Sequence, residues 1–589
     1  MYLEQGLKSN YDKYPAVNVP GMEDSCICGW HDIMNRLSAD VHENGARLIA
    51  FECYQGIHDD EVLDAIKNYF EGVSLFLTPR AMKREPDLYN ILKDDITDDR
   101  VFGYMTRHSI DIYFDESEVA KIRNSVRANK SNLKIVYGVG STYVCPDADI
   151  IVYLDMARWE IQMRFRRNEV SNIGFNNRNA SASAQYKQAF FVDWRILDRW
   201  KKKLFKHVKW FIDTNVPGSP KMIPAEAFCK GLAVVASRPF RVVPYFDPGV
   251  WGGQWMKEVC NLNPESVNYA WCFDCVPEEN SLYLQFGNER FEMPAINLVF
   301  CHPVELLGQN VYGRFGDEFP IRFDFLDTMQ GGNLSLQVHP LIEYIQEKFG
   351  MHYTQEESYY ILDAEDDAHV YLGVKNGIVP NQLIQALHTA QESGNFDANK
   401  YIGQYPVKKH DHILIPPGTI HCSGQNSMVL EISATPYIFT FKLWDWGRVD
   451  LNGQPRPINI EHGKNVIQWN RTEEWVRREA FNAFRPIAEG KGWREEHTGL
   501  HEREFIETRR HWFTKPVHHH TNGGVNVLNL VQGREAIVES PTDAFEPFVV
   551  HYAETFILPA SVGEYSIRPH GESEGQECAT IKAYVRKNS

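Results

Sequence analysis

An α/β domain followed by two β-barrels is the fold class the chain predicts, and three observations predict it. Residues 1–235 alternate short apolar runs with stretches of helical period. From about 236 onward, short strand-like runs follow one another between Gly, Pro and aromatic residues. After Gly463 the same punctuation starts again as a second block. At 589 residues the chain exceeds a single hydrophobic core, so several domains are required.

In the first part, ARLIAFECY (46–54), VSLFLT (73–78), NLKIVYGVG (132–140) and ADIIVYLDMA (148–157) read as strands. EVLDAIKNYF (61–70) and a patch around PDLYNILKD read as helices. DWRILDRWKKKLFKHVKWFID (193–213) places apolar residues at 194, 197, 204, 208 and 211, one helical face. Strand and helix in alternation imply a mostly parallel sheet. The Lys-rich stretch 201–209 is expected to be a solvated helix face.

These residues distantly resemble the core of a P-loop nucleoside kinase. The phosphate loop would follow IAFE, but Cys53-Tyr54-Gln55-Gly56-Ile57-His58-Asp59 stands there, without the Gly-rich cradle or its lysine. Asp155 occupies the place of a Walker-B acid. A degenerate, kinase-like scaffold or regulatory domain is expected for 1–235 rather than an active kinase.

The second part, 236–465, runs through SLYLQF, AINLVF, PIRFDFL, LSLQV, SYYIL, HVYLGV, HILIPP, SMVLEI and IFTFKLW, all strand-like. One helical insertion, 381–404, is expected to pack over the barrel mouth. The third, 466–589, opens on helical RTEEWVRREAFNAF (471–484) before its own strands.

Composition narrows the function. A formal charge of −17 excludes nucleic acid or an anionic membrane as the main partner, because both require clustered Lys and Arg. No run approaches the length of a membrane span, and MYLEQGLKSNYDKYP has no apolar signal core. The 11 cysteines are scattered and odd in number, so a reducing cytoplasm is expected. AWCFDCVP reads as a strand with buried thiols rather than half a zinc site.

Chemistry concentrates between Gly331 and Arg448. In GGNLSLQVHP, Gln337 and His339 are two apart on a strand and share a face. Glu357 leads SYYIL, and His421 closes the turn pattern P-x-G-x-x-H (416–421). Any one of these residues alone would be an ordinary polar side chain; together they are a mixed N/O metal set. Such a set suits Zn²⁺, and Mn²⁺, Fe²⁺ or Co²⁺ as well. A thiolate-free site with open positions polarises a bound hydroxyl or carbonyl.

QVHP, E-x-x-Y-I-L, IPPGTIH, VLEI and WDWGR, preceded by VWGG (250–253) and FPIRFDFLDT (319–328), together resemble the class I mannose-6-phosphate isomerases, which are two-barrel cupin enzymes. The resemblance covers roughly 240–589. It implies Gln337, His339, Glu357 and His421 as metal ligands. It also implies interconversion of mannose 6-phosphate and fructose 6-phosphate through a cis-enediol. The implied partner is a small sugar or sugar phosphate.

Three basic positions of the family have changed: Asp324 and Gln355 stand where lysines are usual, and Lys442 where an arginine is usual. A phosphate, if the substrate has one, must be held otherwise, by Arg322, Lys408, Lys409 or Arg448; the alternative is a substrate without phosphate. Lys442 is a candidate to stabilise the enediolate, Glu431 an acid/base or supporting group, and Arg448 a further catalytic candidate. His410 and His412 are expected at the surface. PVHHHTNGG (516–524) lacks the glutamate and the later histidine of a cupin metal site, so the last barrel is expected to be metal-free, its histidines at an exposed turn. Two rival functions remain at this point: an isomerase or epimerase of another, unphosphorylated sugar, and a non-catalytic sugar-binding regulator.

Overall fold

The computed structural model describes residues 8–434, 437, 439–449, 456, 458–499 and 504–587. The first seven residues of the N-terminal stretch, and residues 501–503 of the third block, lie outside the described residues.

Leu48–Cys53 is buried at every position, which is what a strand covered on both faces by helices requires. It lies inside a seven-stranded sheet ordered Ile27–Cys28, Lys221–Pro224, Trp210–Asp213, Ile150–Asp155, Leu48–Cys53, Lys134–Gly138, Ser74–Leu77. The last five of these run parallel to one another; Lys221–Pro224 is antiparallel to both of its neighbours. Helices such as Trp30–Asn44, Asp59–Tyr69 and Glu116–Ala128 connect them. Where a phosphate loop would open a helix, Asp59, Asp60 and Glu61 occupy its first turn.

The stretch 193–213 is not one helix. It is the helix Trp194–Leu204 followed by the strand Trp210–Asp213, all four of whose residues are buried. A run buried on both faces carries no period, so helical spacing there was fortuitous. The expected solvated lysine face is also corrected at Lys201, which is 1% exposed. Its ammonium donates to Asp155 Oδ1 at 2.7 Å, Asp155 Oδ2 at 3.0 Å and Asn297 Oδ1 at 3.1 Å. Asn297 belongs to the buried helix Ile296–Cys301, in place of the strand expected at AINLVF.

Two antiparallel sheets follow. Six strands are ordered His412–Ile415, Glu356–Ala364, Ser427–Ala434, Arg322–Asp327, Trp271–Cys275, Tyr245–Asp247. Five are ordered Ile402–Pro406, His369–Val374, His421–Ser423, Leu336–Val338, Phe441–Trp444. Within 381–404 the helix is Pro380–Ser393, and the segment's end already belongs to the strand Ile402–Pro406. His412 is fully buried, contrary to a surface position: its Nε2 meets Ser358 Oγ at 2.8 Å across the strand pair. One continuous apolar core joins these sheets to the N-terminal one.

A second pair of sheets, six-stranded and four-stranded, closes the chain around its own core of Phe513, Val517, Leu528, Val538, Phe556 and Ile567. The segment 471–484 contributes only the turn Glu473–Trp475 and a wider turn to Ala480. The histidine run is a strand, Val517–His520, rather than a turn. Alternation exposes His518 and His520 and buries His519 against Tyr565, ring centroids 5.0 Å apart. Among the described residues, no helix is long and apolar enough to cross a membrane.

Candidate metal centre

The paired middle sheets turn two rows of polar residues toward each other. On the five-stranded sheet, Gln337 stands opposite His421 on one side and Lys442 on the other. On the six-stranded sheet, Glu431 stands between Asp324 and Tyr359. Arg322, two before Asp324, and Glu357, two before Tyr359, share that face. The turn before His421 depends on Gly418, whose φ is +80° and whose N–H donates to the His339 carbonyl at 3.0 Å. A Cβ at that position would lie 2.6 Å from the Val466 carbonyl oxygen.

The rows meet at Glu357. His421 Nε2 lies 2.6 Å from Glu357 Oε1, and His339 Nε2 lies 3.0 Å from Glu357 Oε2. The Gln337 amide reaches the same place, 3.3 Å from His421 Nε2. Among the described residues, His339, Glu357 and His421 are the one group of three or more His, Cys, Asp or Glu able to share an ion, their ligand atoms within 4.8 Å of one another.

Both imidazoles are oriented from behind. His339 Nδ1 meets the Phe439 carbonyl at 2.8 Å and His421 Nδ1 the Thr419 carbonyl at 2.9 Å. A carbonyl only accepts, so each Nδ1 carries its hydrogen and each Nε2 can offer a lone pair toward the carboxylate. All three residues are at most 1% exposed. Two lone pairs aimed at a buried carboxylate hold together only with positive charge between them, as a cation or as protonated imidazole. Glu357 shows that demand: burial would raise its carboxyl, yet His339 and His421 hold it well below the usual range. The donor set therefore fits a divalent cation of the Zn²⁺, Mn²⁺, Fe²⁺ or Co²⁺ kind.

Gln355 braces the centre. Its Nε2 donates to Glu357 Oε2 at 3.0 Å and faces Glu431 Oε1 at 3.5 Å, while its Oε1 accepts from the Phe439 N–H at 3.0 Å. Phe439 thus holds two site residues with its main chain. Its ring packs against Phe102 at 5.8 Å and Phe191 at 6.3 Å, and neighbouring Tyr437 lies 4.3 Å from Phe190.

The charges around the centre are largely spent on one another. Arg322 is ion-paired with Asp324, both buried. Burial pushes the Asp324 carboxyl up to about 7 even so. Burial, with Glu357 and Asp324 adding, raises Glu431 well above the usual range. Lys442 is pushed down to about 8 by burial, with Arg456 adding. Arg448 is engaged elsewhere, by Asp445 at 3.3 Å and the Asn333 carbonyl. Lys408 and Lys409 are exposed, Lys409 over the Tyr552 ring.

Gln337, His339, Glu357 and His421 therefore converge, Glu431 and Lys442 stand in the rows beside them, and Arg448 contacts none of the three histidine and glutamate residues. Sequence reasoning passed over Tyr359 and Phe439. Tyr359 was readable, since alternation from Glu357 puts it on the same face, and its ring lies 5.8 Å from His421. Phe439 acts through its main chain, which leaves no mark in the residue type.

Residues 29–237 match a family model described as a domain of unknown function (DUF8485). The probable mannose-6-phosphate isomerase GmuF of Bacillus subtilis (strain 168) is 31% identical over 233 residues, 39% of this chain and 69% of that protein. The mannose-6-phosphate isomerase ManA of the same organism is 26% identical over 235 residues, 40% of this chain and 69% of that protein. The crystal structure of the mannose 6-phosphate isomerase from Bacillus subtilis covers 59% of this chain and 100% of its own, with 19% identity and a TM-score of 0.47.

Proposed function

The chain belongs to the mannose-6-phosphate isomerase family, and we propose that it is a metal-dependent aldose–ketose isomerase interconverting mannose 6-phosphate and fructose 6-phosphate through a cis-enediol. The observation that carries this reading is the convergence of His339, Glu357 and His421 with their Nδ1 atoms tied back to carbonyls. We divide the chain into an α/β, kinase-like domain (1–235), a metal-binding cupin barrel (236–465) and a metal-free cupin-like barrel (466–589), in a reducing cytoplasm.

A divalent cation held by Gln337, His339, Glu357 and His421 would polarise the C1 and C2 oxygens of the sugar. Glu431 stands across the strand pair from Asp324 and is the carboxyl assigned to move the proton during isomerisation. Lys442, one strand from Gln337, is assigned the counter-charge to the enediolate oxygen. Gln355 keeps Glu357 turned toward the two imidazoles. Arg448, engaged by Asp445 and the Asn333 carbonyl, is given an orienting role.

The test is the full chain, loaded in turn with Zn²⁺, Mn²⁺, Fe²⁺ and Co²⁺, incubated with mannose 6-phosphate in deuterium oxide. Fructose 6-phosphate carrying solvent deuterium at carbon is expected; no interconversion with any of the four metals would overturn the reading.

A second reading is favoured by one observation, the buried Arg322–Asp324 pair. A cation already neutralised has little left for a phosphate dianion, so the substrate would be an unphosphorylated sugar. Turnover of mannose or lyxose, with the phosphate ester inert, would select it.

A further inference from the structure

The C-terminal pair of sheets encloses a polar interior that shares no residue with the metal centre. Along the strand Ile506–Phe513 the inward residues run Phe513, His511, Arg509, Glu507, and their partners on Cys578–Val585 run Cys578, Thr580, Lys582, Tyr584. The row is apolar at the Phe513 end and charged at the other. The charged end opens into a cavity of about 1130 Å³.

Five cations line this cavity, Arg314, Arg509, Lys582, Arg586 and Lys587, against the single carboxylate of Glu507. On a chain of net charge −17, that is a local inversion of sign. Glu507 is itself shared among His497 at 3.2 Å, Arg586 at 3.1 Å and Arg509 at 3.3 Å. Arg509 also pairs with Glu495 at 2.8 Å. Lys582 has weaker relief, its ammonium 5.6 Å from the centre of the Tyr584 ring. It is 8% exposed, stands beside Arg509, and makes no hydrogen bond or ion pair among the described residues. Its ammonium faces the cavity with no carboxylate among the described residues paired to it, so an anion entering there meets an uncompensated cation. Burial pushes Lys582 down to about 8.

We propose that this cavity binds a phosphate monoester, with Lys582, Arg509 and Arg314 around the phosphoryl group. Three elements supply the cations: the strands Ile506–Phe513 and Cys578–Val585 and the helix Gln309–Phe315. The volume exceeds what an inorganic anion needs and leaves room for an organic portion. Tyr584 presents a hydroxyl there, which suits a hydroxylated ligand such as a sugar; the amide of its Cα partner Asn526 is already engaged by Tyr565 at 3.0 Å and the Gly524 carbonyl at 3.4 Å. The site neither shares residues with the metal centre nor depends on its chemistry.

Isothermal titration of the full-length chain with glucose 6-phosphate tests it, with His421→Ala, Lys582→Gln and Arg314→Ala variants in parallel. One saturable site is expected, unchanged in His421→Ala and weakened about tenfold or more by Lys582→Gln, the loss of one charge-assisted contact. Arg314 is exposed, so Arg314→Ala reads the same site without disturbing a core, and a several-fold loss is expected there. Binding that disappears in His421→Ala and survives Lys582→Gln would assign the ligand to the metal centre and overturn the proposal. So would the lack of saturation below about 10 mM, acetate competing as well as the ester, or inorganic phosphate binding with the ester excluded.

Discussion

His339 and Phe439 are joined by one hydrogen bond, imidazole Nδ1 to main-chain oxygen at 2.8 Å. Through it a histidine of the candidate metal centre is tied to the first 235 residues, because the Phe439 ring rests on Phe102 and Phe191. The N–H of the same residue donates to Gln355, which in turn holds Glu357. The N-terminal part is thus packed against the backbone that aims the site.

Removing the ring of Phe191, which is fully buried, should cost about 3–5 kcal/mol of stability. If the packing also aims His339, Phe191→Ala should weaken metal affinity about tenfold, the range seen when support behind a ligand is lost. Phe211→Ala is the control. That ring stacks on Phe228 in the same part of the chain, at 3.8 Å and away from Phe439, so it should match the stability loss and leave affinity intact. Chelator competition measures this. Equal affinities for the two variants would separate the N-terminal part from the site.

Gln355→Leu removes the amide that donates to Glu357 while preserving the bulk of the side chain. It should lower metal affinity about 10–100-fold, since the carboxylate loses its orienting partner. His421→Ala should do more and leave the purified chain with well under one equivalent of metal by elemental analysis. A Gln355→Leu protein that binds metal as the parent does would show that the carboxylate is aimed by its strand alone.

Lys201 and Lys203 look alike in the sequence, and the structure separates them. Lys201 is buried on Asp155; Lys203 is exposed. Lys201→Met leaves Asp155 and Asn297 without their cation and should cost about 3–5 kcal/mol, the penalty for breaking a buried pair from one side. Lys203→Met should fall within about 0.5 kcal/mol of the parent. Denaturant melts of the two variants check the contrast, and equal midpoints would mean that Lys201 is solvated in solution.

What was readable in advance was local. Gln337 lies on the strand Leu336–Val338 with His339 one residue past its end, and His421 follows a Pro-Gly turn, so spacing alone put them on one face. The alternation that buries His519 between His518 and His520 is equally local, and an expected turn hid it. Lys201 was unreadable because Asp155 lies 46 residues away. The strand Trp210–Asp213, buried at every position, has no period to distinguish it from the end of a helix. The altered positions Asp324 and Gln355 were visible as departures. That Asp324 takes up Arg322, and that Gln355 joins Glu357 to Phe439, depends on contacts that form only on folding.

The last prediction concerns pH. Lys582 is pushed down to about 8 chiefly by burial; Glu495 and Glu507 act against the shift and Arg509 with it. A free lysine titrates near ~10.4, so between about 8 and that value the folded chain holds fewer protons than the unfolded one. Stability from this group therefore rises with pH across that window. An anion requires the opposite state, the ammonium, so phosphate-ester affinity should fall as pH rises through about 8. Other groups facing Lys582 do not titrate there. Burial lowers His511 to about 4 and, with His511 and Lys582 adding, His519 well below its ordinary range. Glu495 is lowered to about 2 by His511 and Arg509 against its burial, Glu507 is likewise lowered, and burial raises Tyr584 to about 12. A guanidinium does not lose its proton at these pH values. Titration with glucose 6-phosphate at pH 7 and pH 9 should show about a tenfold loss, one logarithmic unit per pH unit above the pKa. Lys582→Arg, which cannot deprotonate in this range, should lose far less; an equal loss in that variant would remove Lys582 from the site.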